Sequence, residues 1–340
     1  MQSAHQHRKK TQVGNRIFGW AADEGGCRYY RISLPLNALQ VNGYDTHHHT
    51  VMPRAYNAWD VMVGQRISNP GPSERWQHLA RQGRHKLVYE LDDDLFNVDA
   101  SSTIAYRFFS QLAVQDRMRQ NIVAADCVTV STEPLAERIR VYNPNVEVCP
   151  NYVPAWLLDH TPPQRQDGII TIGWGGSPTH SMDFAEVGPQ LRRFLERNPQ
   201  AEFHAVGTDY ASWMRLPKDR CRFTPWIPGV ETFFRTLDFH IAIAPLRPHV
   251  FNQSKSDVKV KEAAALGIPI VASDVGPYRT SVQHGVTGFL VKRDHEWAKY
   301  LRMLVEDEAM RKEMGAAGRE WARSQTMEGN ISVWEKVLCA

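Results

Sequence analysis

The chain has 340 residues, with 40 Lys or Arg against 37 Asp or Glu, for a formal net charge of +3. That balance does not by itself mark a nucleic-acid or membrane binder. Hydrophobic residues at 42% exclude a disordered chain, and the length suits two domains of roughly 150 residues each.

The first ten residues, M-Q-S-A-H-Q-H-R-K-K, are polar and basic with no apolar stretch behind them, which is not the pattern of a secretory signal. R-I-F-G-W (16–20) reads as a strand, followed by a Gly25-Gly26 loop and a helix through Leu34, Leu36 and Leu39 that stops at Asn42-Gly43. His47-His48-His49 falls on a strand with no carboxylate or cysteine nearby at metal spacing, so these side chains are expected to face solvent. Further strands are expected at Val61–Val63, Lys86–Leu91 and Asp126–Ser131. Four prolines between Pro150 and Pro163 place a domain boundary there. The pattern then restarts: a buried strand at 169–174, a Gly175-Gly176 turn, and a helix through Leu191, Phe194 and Leu195. Strands follow at 201–207, 239–245, 268–273 and 289–291, with a helix from Val258 to Leu266 between them. Residues 296–340 are charged, amphipathic and helical. Strands alternating with helices predict parallel α/β units, here two Rossmann-like halves. The expected division is 1–152, 153–322, and a final segment 323–340 that crosses back to the first domain. No run approaches the eighteen or so apolar residues of a membrane span. Cys27, Cys127, Cys149, Cys221 and Cys339 lack C-x-x-C spacing, which fits reduced thiols in a cytoplasmic protein.

Ligands of parallel sheets bind outside the carboxyl ends of the strands, so the glycine turn after the first strand of each half is the first place to look. In G-W-G-G-S-P-T-H (173–180), Gly175, Gly176 and Ser177 would let a phosphate approach the backbone near free N–H groups, with His180 beside them. A plain strand-to-helix turn is the bland alternative for so short a motif. The segment 251–267 reads F-N-Q-S-K-S-D-V-K-V-K-E-A-A-A-L-G. Ser256 and Asp257 are expected as N-cap and first-turn residue. Lys255 and Lys259 would straddle that turn, two ammonium groups beside exposed amides, which suits a diphosphate. Glu262, one turn further on, could accept both hydroxyls of a ribose. The A-A-A-L-G-I-P-I-V-A-S that follows marks a buried helix rather than a solvated charged face. In the first half, Arg28, Tyr29, Tyr30 and Arg31 follow Gly25 and Gly26, and such groups suit sugars or bases. Two of the four are expected to pack into the core. Y-E-L-D-D-D-L-F (89–96) places Asp92, Asp93 and Asp94 after a strand, for acceptor binding, general-base work or a metal, against the alternative of a solvated acidic loop.

K-E-A-A-A-L-G-I-P-I-V-A-S-D-V-G-P-Y, with H-G-V-T-G-F-L-V, resembles the donor-site signature of retaining GT-B glycosyltransferases, the family of glycogen synthases and bacterial mannosyltransferases. V-E-V-C-P-N-Y-V-P (146–154) is similar to their interdomain segment, and G-G-C-R-Y-Y-R through N-G-Y-D to their first loop, helix and turn. The resemblance covers nearly the whole chain and is strongest over 239–291. It implies two Rossmann-like domains facing each other across a cleft, and transfer, with retention, of a hexosyl or pentosyl unit from a nucleotide-diphosphate sugar. In that family two glutamates eight apart bracket the donor. Glu262 matches the second, and Ser254 stands where the first would be. The family's Arg and Lys after the first C-terminal strand are replaced by Trp174 and the Thr179–His180 region. Lys255 and Lys259, with His180 as a weaker partner, are then expected to neutralise the diphosphate.

The expected donor side is therefore Gly175, Gly176, Ser177, His180, Ser254, Ser256, Asp257 and Glu262, with Lys255, Lys259, Asp92 and Asp93 in catalysis. The expected acceptor side is Gly25, Gly26, Arg28, Tyr29, Arg31 and Asp94. No cofactor and no divalent ion are expected, although D-x-D is also the pattern by which GT-A glycosyltransferases hold Mn²⁺ or Mg²⁺. The acceptor is open between a polysaccharide, a protein and a modified DNA base, the last assisted by Arg8-Lys9-Lys10 and Arg16. A GT-B fold that binds a nucleotide or partner without catalysis is the alternative from another class.

Overall fold

The computed structural model describes residues 16–163, 165 and 167–339. Arg8, Lys9 and Lys10, with the rest of the basic start, lie outside the described residues.

Among the described residues twelve strands form two six-stranded sheets. The first holds β1 (Ile17–Trp20), β2 (Thr46–His49), β3 (Val61–Gln65), β4 (Lys86–Leu91), β5 (Cys127–Val130) and β6 (Val146–Val148), in the order β2-β1-β3-β4-β5-β6. The second holds β7 (Ile170–Gly175), β8 (Ala201–Gly207), β9 (Cys221–Pro225), β10 (Ile241–Ala244), β11 (Ile270–Ser273) and β12 (Gly288–Val291), in the order β12-β11-β10-β7-β8-β9. Every pairing between neighbouring strands is parallel. Parallel sheets need both faces covered, and β3, β5, β10 and β12 are buried at every residue. In each sheet the strand order reverses beside the first strand, between β1 and β3 and between β7 and β10. A crevice opens at such a point, beyond the carboxyl ends of the two strands.

The expected strands are all present, and two short ones join them, β6 and the edge strand β9. His47 and His49 are exposed on β2 and His48 is half-buried, so the run faces largely outward as expected. The chain passes between the two sheets twice. Near the first crossing Val153 forms a parallel bridge with Thr326, which lies on the second. The final helix, Ser332–Leu338, buries Trp334, Val337 and Leu338 in a core shared with Ile17, Leu36 and Val61 of the first half. Among the described residues no helix is long and apolar enough to cross a membrane.

Candidate functional site

The two crevices face each other across one cavity of about 750 Å³. From the first half, the loop after β1 brings Gly25, Gly26, Arg28, Tyr29 and Tyr30 to its wall, the end of β3 brings Arg66, and the end of β4 brings Asp92 and Asp93. From the second half come Gly176, Ser177 and His180 after β7, Trp226 after β9, and Lys255, Ser256, Lys259 and Glu262 around the start of the helix Val258–Ala265. Side chains meet directly across the gap. Tyr30 Oη donates to Glu262 Oε1 at 2.6 Å, Asn151 Nδ2 donates to Ser256 Oγ at 2.9 Å, and Arg247 pairs with Asp99.

The anticipated cations are in place but already engaged. Lys259 Nζ lies 2.7 Å from Glu262 Oε2 and over the Phe233 ring, at 5.9 Å from its centre. Lys255 Nζ lies 3.9 Å from Asp93 Oδ1 and 4.7 Å from the centre of the Phe251 ring. Both ammonium groups therefore border the cavity with an acidic neighbour that an anionic ligand would compete against. His180 is held by Asp183, Nδ1 to Oδ2 at 2.9 Å. Burial, with Lys255 and Lys259 and against the pull of Asp183, keeps its imidazolium below the ordinary range.

The three aspartates separate. Burial works against the charge of Asp92, but Arg66 and the Cys27 thiol outweigh it and hold this carboxyl below the usual range. Burial raises Asp93, only partly offset by Lys255, so the carboxyl facing the second half is the more basic of the two. Asp94 does not reach the cavity: its oxygens accept from Asn97 Nδ2 at 3.1 and 2.9 Å, with Arg138 Nε 3.4 Å away. Among the described residues no group of three His, Cys, Asp or Glu is placed to hold a metal ion.

Four further expected residues are also placed away from the cavity. Arg31 is wholly buried, because the chain turns through a widened π-helical segment at Tyr29–Ser33 that carries it inward. Its guanidinium donates to Glu90 Oε1 at 2.6 Å, to the Cys149 carbonyl and to Asn151 Oδ1 at 2.9 Å, and it lies under the Trp334 ring. Ser254 is buried with its hydroxyl unpartnered, since Phe251 anchors the preceding turn in the first half's core and turns position 254 inward. Asp257, rather than Ser256, takes the N-cap position of the helix, and its carboxylate binds Lys261 at 3.1 Å and the Ser281 hydroxyl at 2.5 Å instead of lining the cavity. Gly175 lies beneath Phe233, whose ring would stand 2.8 Å from an added Cβ, and so is screened from the cavity.

Sequence reasoning missed Arg66 and Trp226. Arg66 sits one residue past β3 with φ of 48°, and its position at a strand's carboxyl end was the available signal. It pairs with Asp23 and lies 4.0 Å from Asp92. Trp226, 53% exposed, lies over Gly207, where an added Cβ would meet its ring at 3.2 Å and the Gly176 carbonyl at 2.5 Å. With φ of +96° and that close approach, only glycine fits there. The Arg16 guanidinium pairs with Asp45 and lies over the Trp59 ring, while its backbone N–H donates to Asp60 Oδ2.

Residues 176–307, which carry most of the second half's wall, match the family model described as "Glycosyl transferases group 1". The D-inositol 3-phosphate glycosyltransferase of Corynebacterium glutamicum (strain R) is 40% identical over 172 residues, 44% of this chain and 41% of that protein. The enzyme of the same name from Thermobifida fusca (strain YX) is 35% identical over 157 residues, 41% of this chain and 35% of that protein. The chain thus spans less than half the length of the curated relatives it matches. Among solved structures, the sucrose-phosphate synthase of Thermosynechococcus elongatus superposes with a TM-score of 0.66 at 16% identity, over 95% of this chain and 98% of that one. Anabaena HepE in complex with UDP and glucose superposes with a TM-score of 0.65 at 15% identity, over 95% and 99%. The two facing parallel sheets, the cleft between them and these superpositions together establish that the chain has the GT-B fold.

Proposed function

We propose that the protein is a glycosyltransferase that moves a sugar from a nucleotide-diphosphate donor to an acceptor hydroxyl, with retention at the anomeric carbon. The observation that carries this reading is Glu262, 7% exposed, meeting the cavity one turn into a helix with Lys259 in its first turn and Lys255 in the loop before it. A ribose has two adjacent hydroxyls, and a carboxylate is the side chain that accepts from both. The diphosphate would lie between the turn at Gly176–Ser177 and the two lysines, all of which border the cavity; the Gly176 N–H is bonded to the Val206 carbonyl at 2.9 Å, so the ammonium groups meet most of the charge. The indole of Trp226 offers a flat face for the base. Divalent metal is not needed on this reading, because the lysines meet the charge. The acceptor would enter over Gly25, Gly26, Arg28 and Tyr29, with Asp93 nearest the reacting centre. The division of labour is donor binding within 153–322 and acceptor binding within 1–152. Retention and the class of donor are carried by the resemblance of 239–291 to retaining enzymes, and the UDP-bound HepE neighbour is consistent with a nucleotide-diphosphate ligand.

A thermal-shift screen over nucleoside diphosphates and their sugars tests this reading. One of them should stabilise the protein, by about 2.7 kcal/mol at a hundred times its dissociation constant. Glu262→Ala should fold normally and lose affinity, each charge-assisted hydrogen bond being worth roughly 1.5–3 kcal/mol. A variant that binds the diphosphate as the parent does but melts far earlier would make Glu262 structural and misplace the donor.

A further inference from the structure

β7 ends at Gly175, a short turn covers Pro178–His180, and the helix Ser181–Arg197 begins immediately after. In its first turn Asp183 is 5% exposed and held from three directions. Its Oδ1 accepts from the Arg247 backbone N–H at 2.9 Å and from Asn252 Nδ2 at 2.8 Å, while Oδ2 faces His180 Nδ1 at 2.9 Å. The His180 backbone N–H donates to Tyr210 Oη at 2.8 Å, and its ring stands edge-on to Trp174 at 5.7 Å. Asp183 cannot turn without losing three partners, and the His180 ring cannot turn without losing Asp183 and its edge contact with Trp174. An ionised carboxylate only accepts, so the proton on the imidazole belongs to Nδ1. Nε2 is left without a hydrogen-bond partner among the described residues, on a ring that borders the cavity beside Ser177 and Lys255.

We infer that His180 is a ligand of the donor diphosphate that charges when the donor binds: neutral in the free protein, it takes a proton on Nε2 as the diphosphate settles and presents that N–H to it. The inference rests on the diphosphate seat proposed above. The charged groups facing the ring are Asp183 on the helix that follows it, Lys255 from the loop before the helix Val258–Ala265, Lys259 from that helix's first turn, and Asp93 from across the cleft. Before the donor arrives, burial and the two lysines disfavour the imidazolium; a diphosphate reverses that local balance. During transfer the bond from the anomeric carbon to the diphosphate oxygen breaks, and its electron pair stays on that oxygen. The acceptor oxygen bonds to the carbon, and its proton passes to the diphosphate. The Nε2 proton remains on His180 as a hydrogen bond that strengthens while the charge develops, and returns to water when the nucleotide leaves.

Proton uptake has a direction that can be measured. It is largest at a pH above the free protein's His180 value and below that of the complex, and vanishes on either side. Titration calorimetry with UDP and with inorganic pyrophosphate, near about pH 7.5 in two buffers of different ionisation enthalpy, reads it directly. The parent should take up close to about one proton more per diphosphate than His180→Gln, which should still bind. Asp183→Asn should bind with the uptake window moved to lower pH. In turnover, His180→Gln should lose on the order of a hundredfold in kcat with a smaller change in KM. Equal proton uptake by parent and His180→Gln, an unmoved window in Asp183→Asn, or parental turnover by His180→Gln would overturn the role of His180 and leave the functional reading standing. A parent that binds neither pyrophosphate nor any nucleoside diphosphate of the thermal-shift screen would remove the seat itself, and both proposals with it.

Discussion

Lys255 and Lys259 show how far residue type and spacing reach. They were expected one turn apart at a helix start; Lys255 instead lies in the loop before the N-cap Asp257, yet both border one cavity. Their pairing with Asp93 and Glu262 was not legible, because those contacts depend on how two domains meet and on rotamers. The pairing separates the two lysines kinetically. Removing Lys259 also frees Glu262 from its neighbour, so Lys259→Ala should raise the donor KM as well as lower kcat. Lys255→Ala leaves Glu262 in place and should act mainly on kcat, by on the order of a hundredfold, as expected of a contact that strengthens as the leaving group gains charge. Steady-state rates of donor turnover for the two variants check this, and parental rates for both would place the diphosphate elsewhere. Arg31 is the instructive miss. Its sequence neighbours face the cleft, but the widened turn at Tyr29–Ser33 shifts the helical register, and one guanidinium becomes a strut between Glu90, Cys149 and Asn151. Nothing in residue spacing announces a π turn.

At the scale of elements, the central strands were readable because β-branched and apolar runs bounded by turn residues specify buried parallel strands. The strands left unread are the ones that break that rule. β9 is an edge strand, Cys-Arg-Phe-Thr-Pro, with Phe223 43% exposed, and β6 has three residues. Helix packing hides in the same way. Gly315 sits inside the helix Glu308–Ala322, where alanine has the better propensity by about 1 kcal/mol. Yet a Cβ there would stand 2.1 Å from the carbonyl oxygen of Gly267, in the turn that closes the helix carrying Lys259 and Glu262. Backbone against backbone has no side chain to yield, so Gly315→Ala should destabilise by roughly 1–3 kcal/mol despite its propensity. Urea unfolding should show a lower midpoint at an unchanged slope. A higher midpoint would mean that the two helices part freely and that the site tolerates their separation.

For the whole molecule, the question is what makes two separately cored halves one object. The cleft is crossed by polar pairs and by Phe251, seated in the first half's core, and a ligand must displace some of the pairs, Tyr30 to Glu262 first. The stronger tie is the end of the chain. After the crossing at Thr326, paired to Val153, the helix Ser332–Leu338 buries Trp334 to 1% exposure in the first half's core. Its ring covers Arg31, with 5.1 Å from guanidinium carbon to ring centre, and Arg31 in turn holds Glu90, the Cys149 carbonyl and Asn151 just before the first crossing. Truncating a buried aromatic to Ala costs about 3–5 kcal/mol, and here it also uncovers a buried ion pair. Trp334→Ala should therefore weaken the first half more than the second, whose two buried clusters are separate from the one that holds this helix. Scanning calorimetry should then resolve one transition of the parent into two, the lower assigned to the first half. The donor-facing residues Lys255, Lys259 and Glu262 lie in the second half, so a nucleoside diphosphate should raise the upper transition and barely move the lower. A single transition displaced as a whole would show instead that the cleft contacts, not the returning helix, couple the halves, and that donor binding acts on both at once.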